Sequence, residues 1–222
     1  MTIPLDGPRR RPASGGPANA LIVLLHGLGA DGADLIELAG PLSGVLPDAA
    51  FVSPNAPEPC DMAPSGYQWF SLQDRDPARL SRAADRAAMP LAGFIEAELA
   101  ALHLDRARLV LVGFSQGTMM ALHVGLRLTP GPAAIVGFSG ALLAPERLAA
   151  ETGEAPPVLL IHGTADDIVP FERMAAATSA LEAAGVATET LARPGLGHGI
   201  DEPGLNAAAA FLRRRLGAGP AE

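Results

Sequence analysis

Among the residues of this chain, a serine flanked by glycines has the local sequence most typical of a catalytic nucleophile. Residues 113–117 read Gly-Phe-Ser-Gln-Gly, the pattern GxSxG, between an apolar run at 109–112 and a helical pattern that begins at Thr118. In a tight turn from strand to helix, the backbone at the serine is strained and the small glycines keep side chains away from its hydroxyl. The hydroxyl then points out at the amino terminus of the helix. We therefore predict that Ser115 is a nucleophile.

A serine hydroxyl is a weak nucleophile at neutral pH, so it needs a base, and the base needs a carboxylate that orients it. Where GxSxG forms a turn from strand to helix, these residues follow in the chain order serine, acid, histidine. His198 lies in the glycine-rich segment 195–199, after the last candidate strand. His103 and His123 fall within helical patterns and His162 precedes the acid, so we expect structural roles for these three. His198 is the predicted base.

The candidate acid lies in the loop that follows the apolar run at 158–161. Two neighbouring carboxylates, Asp166 and Asp167, occur there in the segment 162–170. Adjacent side chains of a loop can point in either direction, so their spacing does not choose between them. From the residues alone, both aspartates remain candidates.

A tetrahedral intermediate needs backbone N–H groups that point at its oxyanion. Gln116 directly follows the nucleophile and is expected to supply one amide. The loop 26–29, His-Gly-Leu-Gly, has glycines that let amides face a ligand, and we expect the second donor to be Leu28. Ser139 resembles half of a GxSxG turn, but position 141 is alanine and Pro145 follows soon after, so we interpret it as a serine at a strand end.

The remaining pattern predicts elements that could position these residues. Helical periodicity is expected at 34–46, where Pro41 breaks it, and at 82–102, 116–128, 172–184 and 206–216. Apolar runs typical of buried parallel strands occur at 20–25, 49–52, 109–112, 134–138 and 158–161, with a polar, edge-like strand at 188–191. Alternation of strand and helix predicts an α/β fold with a mostly parallel central sheet and helices on both faces.

The chain is organised, by this prediction, as one domain with short ends. Residues 1–19 are expected to form an arm rich in proline and glycine, with a short strand at 2–5 and a loop at 7–18. Residues 20–216 form the domain and 217–222 a tail. The longest irregular segment, 58–77, contains the chain's only Tyr and only Trp, and a loop of this length is usually functional or disordered.

Composition excludes several classes of function. A net charge of −8 over 222 residues offers no basic surface for nucleic acid, and all 16 basic residues are arginine, which excludes lysine Schiff-base and P-loop chemistry. A single cysteine, Cys60, cannot form an internal disulfide or a cysteine-based zinc site. No signal peptide or membrane-spanning stretch is evident. We expect a cytoplasmic protein with no cofactor and no metal; the sequence leaves its oligomeric state open.

The motifs at 26–29, 113–117, 162–170 and 197–198 together resemble the phospholipase/carboxylesterase family of α/β-hydrolases over nearly the whole span 20–216. The resemblance implies an α/β-hydrolase fold, Asp166 as the catalytic acid with Asp167 at a variable position, and oxyanion amides from Leu28 and Gln116. It also implies that the segment 68–70, with Trp69 and Phe70, lies beside the acyl pocket, and we expect Leu28 to contact substrate there too.

The resemblance implies a serine carboxylesterase acting on small to medium acyl esters. Nothing resembles the large cap domain of lipases, and many family members have an antiparallel hairpin where this chain has a short proline-rich arm. The alternatives are a deacylase of the acyl-protein thioesterase or lysophospholipase type, a peptidase, a dienelactone-type hydrolase and a non-catalytic binding protein of the same fold. The serine at position 115 disfavours the dienelactone-type hydrolase.

Overall fold

A computed structural model describes residues 5–217. The strands are β1 (Arg9–Arg10), β2 (Ala20–Leu25), β3 (Ala49–Val52), β4 (Glu58–Pro59), β5 (Tyr67–Gln68), β6 (Leu109–Phe114), β7 (Ala134–Phe138), β8 (Val158–Gly163) and β9 (Thr188–Arg193). The helices are α1 (Gly32–Leu35), α2 (Ala39–Ser43), α3 (Pro77–Leu102), α4 (Gln116–Gly125), α5 (Leu148–Glu151), α6 (Glu172–Ala183) and α7 (Glu202–Leu216). Short 3₁₀ turns occupy Ile36–Leu38, Arg106–Arg108 and Pro145–Arg147.

Seven of the strands form one sheet in the order β1-β3-β2-β6-β7-β8-β9. All neighbours in it are parallel except β1, which runs antiparallel to β3. The four central strands β2, β6, β7 and β8 are apolar and almost wholly buried, because helices cover both faces. The predicted mostly parallel sheet with helices on both faces is confirmed, and this architecture is consistent with the expected α/β-hydrolase fold.

Two apolar cores flank the sheet. On one face, alternate residues of the central strands pack against α3, α4 and α6; on the other face, the intervening residues pack against α1, α2 and α7. Alternation of strand side chains between the two faces is what requires helices on both sides. The result is a rigid base whose strands β2, β6, β8 and β9 end at the same edge, where the candidate site residues follow them.

The predicted elements differ from the structure mainly at their ends. Helix α3 begins at Pro77 rather than at 82, because Asp76 Oδ1 accepts a hydrogen bond from the Arg79 amide and a proline fits the first turn. Helix α7 begins at Glu202 rather than at 206, because Asp201 caps it through the Gly204 amide. Helix α4 ends at Gly125 instead of continuing to 128.

Four other expectations were wrong in detail. Pro41 does not break the helical stretch at 34–46; it lies in the first turn of α2, and the interruption is the 3₁₀ turn before it. The segment 7–18 contains β1, and 58–77 contains the β4–β5 hairpin. Helix α5 was not predicted, because four residues carry too little periodicity. The expected strand at 2–5 and the tail at 217–222 lie outside the described residues, apart from Leu5 and Gly217.

Candidate active site

Ser115 lies in a tight turn between β6 and α4. Its backbone has φ 54° and ψ −115°, a combination that is strained for a residue with a side chain. The turn is fixed by its amide, which donates to Phe138 O at 2.9 Å, and by its carbonyl, which accepts from the Thr118 amide at 3.0 Å. Side chains at the two flanking glycines are excluded: a Cβ on Gly113 would overlap the backbone of Gly117, and one on Gly117 would overlap the carbonyl of Leu25.

The loop after β8 holds Asp166 with its carboxylate inward. The side chain is 0% exposed, and Oδ1 accepts the amides of Ile168 at 3.0 Å and Val169 at 2.8 Å. Oδ2 accepts from His198 Nδ1 at 2.8 Å. Asp167, the other candidate, is exposed to solvent. The geometry therefore pairs the predicted base with Asp166 and leaves Asp167 outside the pair.

The ionisation of Asp166 follows from these contacts. Burial raises the pKa of its carboxyl, but the hydrogen bonds from His198 and from the amides of Val169 and Ile168 lower it by more. The net effect is a pKa below the usual value of 3.8. The group is an anion at neutral pH, as orienting and stabilising an imidazolium requires.

His198 lies over the residue that precedes the candidate nucleophile. Its ring centroid is 4.9 Å from that of Phe114, and its side chain is 17% exposed. The loop that carries it, between β9 and α7, is closed by the ion pair of Arg193 with Asp201, in which Nε and Oδ2 are 2.9 Å apart. Ser115, Asp166 and His198 thus lie in loops that follow β6, β8 and β9, at one edge of the sheet.

Two backbone amides near Ser115 are free of protein acceptors. Among residues 5–217, neither the Leu28 amide nor the Gln116 amide donates to another protein group. The loop of Leu28 passes close to the nucleophile turn, because a Cβ built on Gly27 would lie 3.3 Å from Ser115 Cβ. These are the two amides that the sequence singles out as oxyanion donors.

Trp69 and Phe70 are almost fully buried, and both line a groove beside helix α3. They are 1% and 2% exposed, and the groove has a volume of about 450 Å³. Leu80, Ala83 and Ala87 of that helix line the other side. Within residues 5–217 the lining of this groove includes none of Ser115, Asp166 and His198. Leu28, the third residue expected to contact substrate, is partly exposed.

His162 and Ser139, for which only structural roles were expected, contact the loops of the site. His162 Nε2 donates to Val169 O at 2.8 Å and lies 3.1 Å from Asp166 Oδ2, so it supports the acid loop. Ser139 has φ 48°, is 1% exposed, and donates through Oγ to Gly199 O at 3.3 Å in the base loop. The sequence signal for Ser139 is the segment Gly-Phe-Ser-Gly at the end of a strand, but the backbone strain at Ser139 is not visible in the sequence.

The described residues contain no group of three or more His, Cys, Asp or Glu side chains that could hold a metal ion. Between residues 5 and 217 there is also no helix long and apolar enough to cross a membrane.

Comparison with known proteins places the chain in a family. Residues 12–216 match the model of the phospholipase/carboxylesterase family. The chain is 31% identical to the esterase YpfH of Escherichia coli K12, over 89% of this chain and 83% of that protein. Its fold is similar to the crystal structure of the esterase PE8, with a TM-score of 0.90, 44% identity and coverage of 96% and 99%.

A plant structure is similar at lower identity. The acyl-protein thioesterase 2 of Zea mays superposes with a TM-score of 0.72, at 26% identity, and covers 94% of this chain and 97% of its own. The family model spans nearly the whole chain, and the similar proteins are esterases and a thioesterase, as the sequence motifs predict. The chain therefore belongs to the phospholipase/carboxylesterase family and is a carboxylic ester hydrolase.

Proposed function

We propose that this protein is a serine carboxylesterase that hydrolyses small to medium acyl esters through Ser115, His198 and Asp166. The observation that carries the proposal is the 2.8 Å hydrogen bond between His198 Nδ1 and the buried Asp166 Oδ2, in the loops beside the strained turn of Ser115. Asp166 has only acceptor atoms when ionised, so it selects the tautomer of His198 with hydrogen on Nδ1. In that tautomer Nε2 is free to take a proton from a serine hydroxyl.

The reaction would proceed in two halves. Ser115 Oγ bonds to the ester carbonyl carbon while its proton passes to His198 Nε2, and the carbonyl electron pair becomes an oxyanion. The amides of Leu28 and Gln116 stabilise that charge. The C–O bond to the leaving alcohol then breaks, and His198 donates its proton to the departing oxygen. Water repeats the sequence on the acyl-enzyme, with His198 as base, and releases the carboxylic acid.

The preference for small and medium esters rests on what covers the site. In the part of the chain that the structure describes, no separate helical cap is inserted between the strands of the sheet. After β3, residues 53–76 contain no helix and only the two-residue strands β4 and β5. Such loops can shape a cleft for a short acyl chain, whereas a long triglyceride needs a larger apolar enclosure.

A second candidate function is hydrolysis of acyl thioesters, and the similarity to a plant acyl-protein thioesterase favours including it. The same nucleophile, base and oxyanion donors serve both bonds, because both pass through a tetrahedral oxyanion. The two functions differ only in how the leaving group and acyl chain fit the cleft.

The test is a set of initial rates on p-nitrophenyl esters of increasing acyl length, beside matched acyl thioesters. Wild type should turn over short esters fastest, and Ser115→Ala should lose about 10³-fold or more in kcat while remaining folded. Ser43→Ala, at the last residue of helix α2 and outside every element that carries a proposed site residue, is the matched control and should behave as wild type. Faster turnover of long thioesters would transfer the assignment to the deacylase function; activity that survives in Ser115→Ala would refute the nucleophile.

A further inference from the structure

The two amides proposed as oxyanion donors belong to different elements. Leu28 lies in the loop after β2, and Gln116 is the first residue of α4. Their separation decides whether both N–H groups reach one oxyanion, since such donors must lie about 2.7–3.1 Å from the charged oxygen. A contact that fixes the Leu28 loop relative to helix α4 therefore controls how well the two amides stabilise the oxyanion.

Trp69 makes that contact on both sides. Its backbone amide donates to the side-chain Oε1 of Gln116 at 2.9 Å, and its indole Nε1 donates to the carbonyl of His26 at 3.0 Å. The side-chain amide of Gln116 also donates to Phe70 O at 2.7 Å, so one residue of the oxyanion pair is bonded twice to the segment of Trp69. Trp69, His26 and Gln116 are each at most 1% exposed, so water does not compete for these bonds.

The His26 end of this connection is itself held in place. His26 Nε2 accepts from the Ala56 amide at 3.0 Å, and Nδ1 donates to Gly27 O at 2.7 Å. Burial lowers the pKa of His26 more than its hydrogen bond to Gly27 raises it, which favours the neutral ring that these two contacts require. The chain from His26 to Leu28 thus leaves β2 in one orientation, with the Trp69 indole attached at its start.

We propose that Trp69 is a positioning residue of the oxyanion hole: it connects the His26–Leu28 loop to Gln116 and sets the spacing of the two amide donors. The inference rests on the proposed function. It differs from the role beside the acyl pocket that the family resemblance implies, because in this structure the only polar atom of the indole is bonded to the oxyanion loop. A wall of an acyl pocket would act on acyl chain length, whereas a positioning residue acts on the oxyanion whatever the acyl chain.

Trp69→Phe tests the proposal, because it keeps a buried aromatic ring and removes the indole N–H. Two quantities are measured: kcat and KM on p-nitrophenyl esters of short and medium acyl length, and inhibition by alkyl trifluoromethyl ketones of the same lengths. With the ketone, Ser115 Oγ bonds to the carbonyl carbon, the serine proton moves to His198, and the carbonyl pair becomes an oxyanion. The inhibitor therefore reports oxyanion binding without a leaving group.

We expect Trp69→Phe to lower kcat about 10-fold to 100-fold, less than the 10²–10³-fold loss for deleting a donor outright, with KM unchanged. Ketone affinity should fall by the same factor as kcat/KM, and the factor should be equal for every chain length. If the loss of kcat/KM instead depended on acyl length while the affinity for the ketones stayed at the wild-type value, Trp69 would be a wall of the acyl pocket and the proposal would be overturned. Wild-type kinetics in the variant would overturn it too.

Two further variants keep the test decisive. Gln116→Met leaves the backbone amide in place, removes both side-chain hydrogen bonds to the Trp69 segment, and should give the same pattern. Phe211→Leu removes part of a buried aromatic ring on α7, in the other core, and should lower stability without changing relative ketone affinity. Ser115→Ala is assayed beside them: if it retains activity, the proposed function has failed, whereas its inactivity with an unaffected Trp69→Phe rejects only this inference.

Discussion

Substitution of Asp166 by asparagine should nearly abolish turnover while leaving the fold intact, and the reason lies in the four contacts of the carboxylate. Oδ1 accepts two backbone amides and Oδ2 faces two histidines, His198 at 2.8 Å and His162 at 3.1 Å. The backbone amides cannot change what they donate, so the oxygen of the new side chain will stay on them. Its NH₂ group then faces His198 Nδ1.

A donor at that position changes the tautomer of the base. His198 can accept at Nδ1 only if its hydrogen moves to Nε2, and an Nε2–H cannot take the proton of Ser115. The expected fall in kcat is about 10⁴-fold, which is roughly 5 kcal/mol of activation free energy at 1.36 kcal/mol per factor of ten. The cost in stability is smaller, about 1–3 kcal/mol, since two of the four contacts are kept and His198 adapts.

The assay is kcat on a p-nitrophenyl ester together with the melting temperature, for Asp166→Asn and for the matched control Asp167→Asn. Asp167 is exposed, so its variant should retain wild-type rate and stability. A larger loss of kcat in Asp167→Asn than in Asp166→Asn would refute the assignment of the acid. Near-normal turnover in Asp166→Asn would refute the tautomer argument.

Three other perturbations give distinct expected outcomes. His162→Leu removes the donor to the acid loop and should lower kcat about 10-fold with KM unchanged, and His162→Gln, which restores an N–H, should recover most of it; equal effects of the two variants would contradict a hydrogen-bonding role. Ser139→Ala should lower the free energy of unfolding, measured in urea, by about 1 kcal/mol and should lower kcat a few-fold. An unchanged kcat would mean that Ser139 has only a structural role. The hydrogen bond from Arg193 holds the pKa of Asp201 below its usual value, so the anion stabilises the fold above about pH 4 and this contribution is lost as the pH falls through the depressed pKa. Asp201→Asn should therefore lower the free energy of unfolding by about 0.5–1 kcal/mol at pH 7. The gap in free energy of unfolding between variant and wild type should narrow in acid, and a gap that is independent of pH would contradict this role of the Asp201 anion.

Buried apolar strands were the most predictable part of the fold. Residues 20–25, 49–52 and 134–138 were predicted with the bounds that the structure has, because strands covered on both faces are continuous apolar runs. Helix ends were less predictable. Asp76 and Asp201 set the first turns of α3 and α7 by capping, which is a local hydrogen bond between a side chain and an amide, and periodicity of apolar residues does not report it.

Some residues of the candidate site could likewise be predicted from the sequence, whereas others could not. Ser115 and His198 could be predicted because glycine-rich turns and chain order mark them, and these signals are local in sequence. Asp166 could not be separated from Asp167 by spacing, since the choice depends on which side chain faces inward. The contacts of Trp69 with His26 and Gln116 join residues more than forty positions apart, so no local pattern indicates them.

The role of Ser115 as the nucleophile is tested most directly by covalent labelling of the intact protein with a fluorophosphonate, read by mass spectrometry. Ser115 Oγ should bond to phosphorus as its proton passes to His198, the P–F bond breaks and fluoride leaves, so we expect one adduct per chain, on the peptide that contains Ser115. Ser115→Ala should take no label, and Asp166→Asn should label far more slowly than Asp167→Asn. Absence of labelling in the folded wild-type protein, or an adduct on any other residue, would contradict Ser115 as the nucleophile.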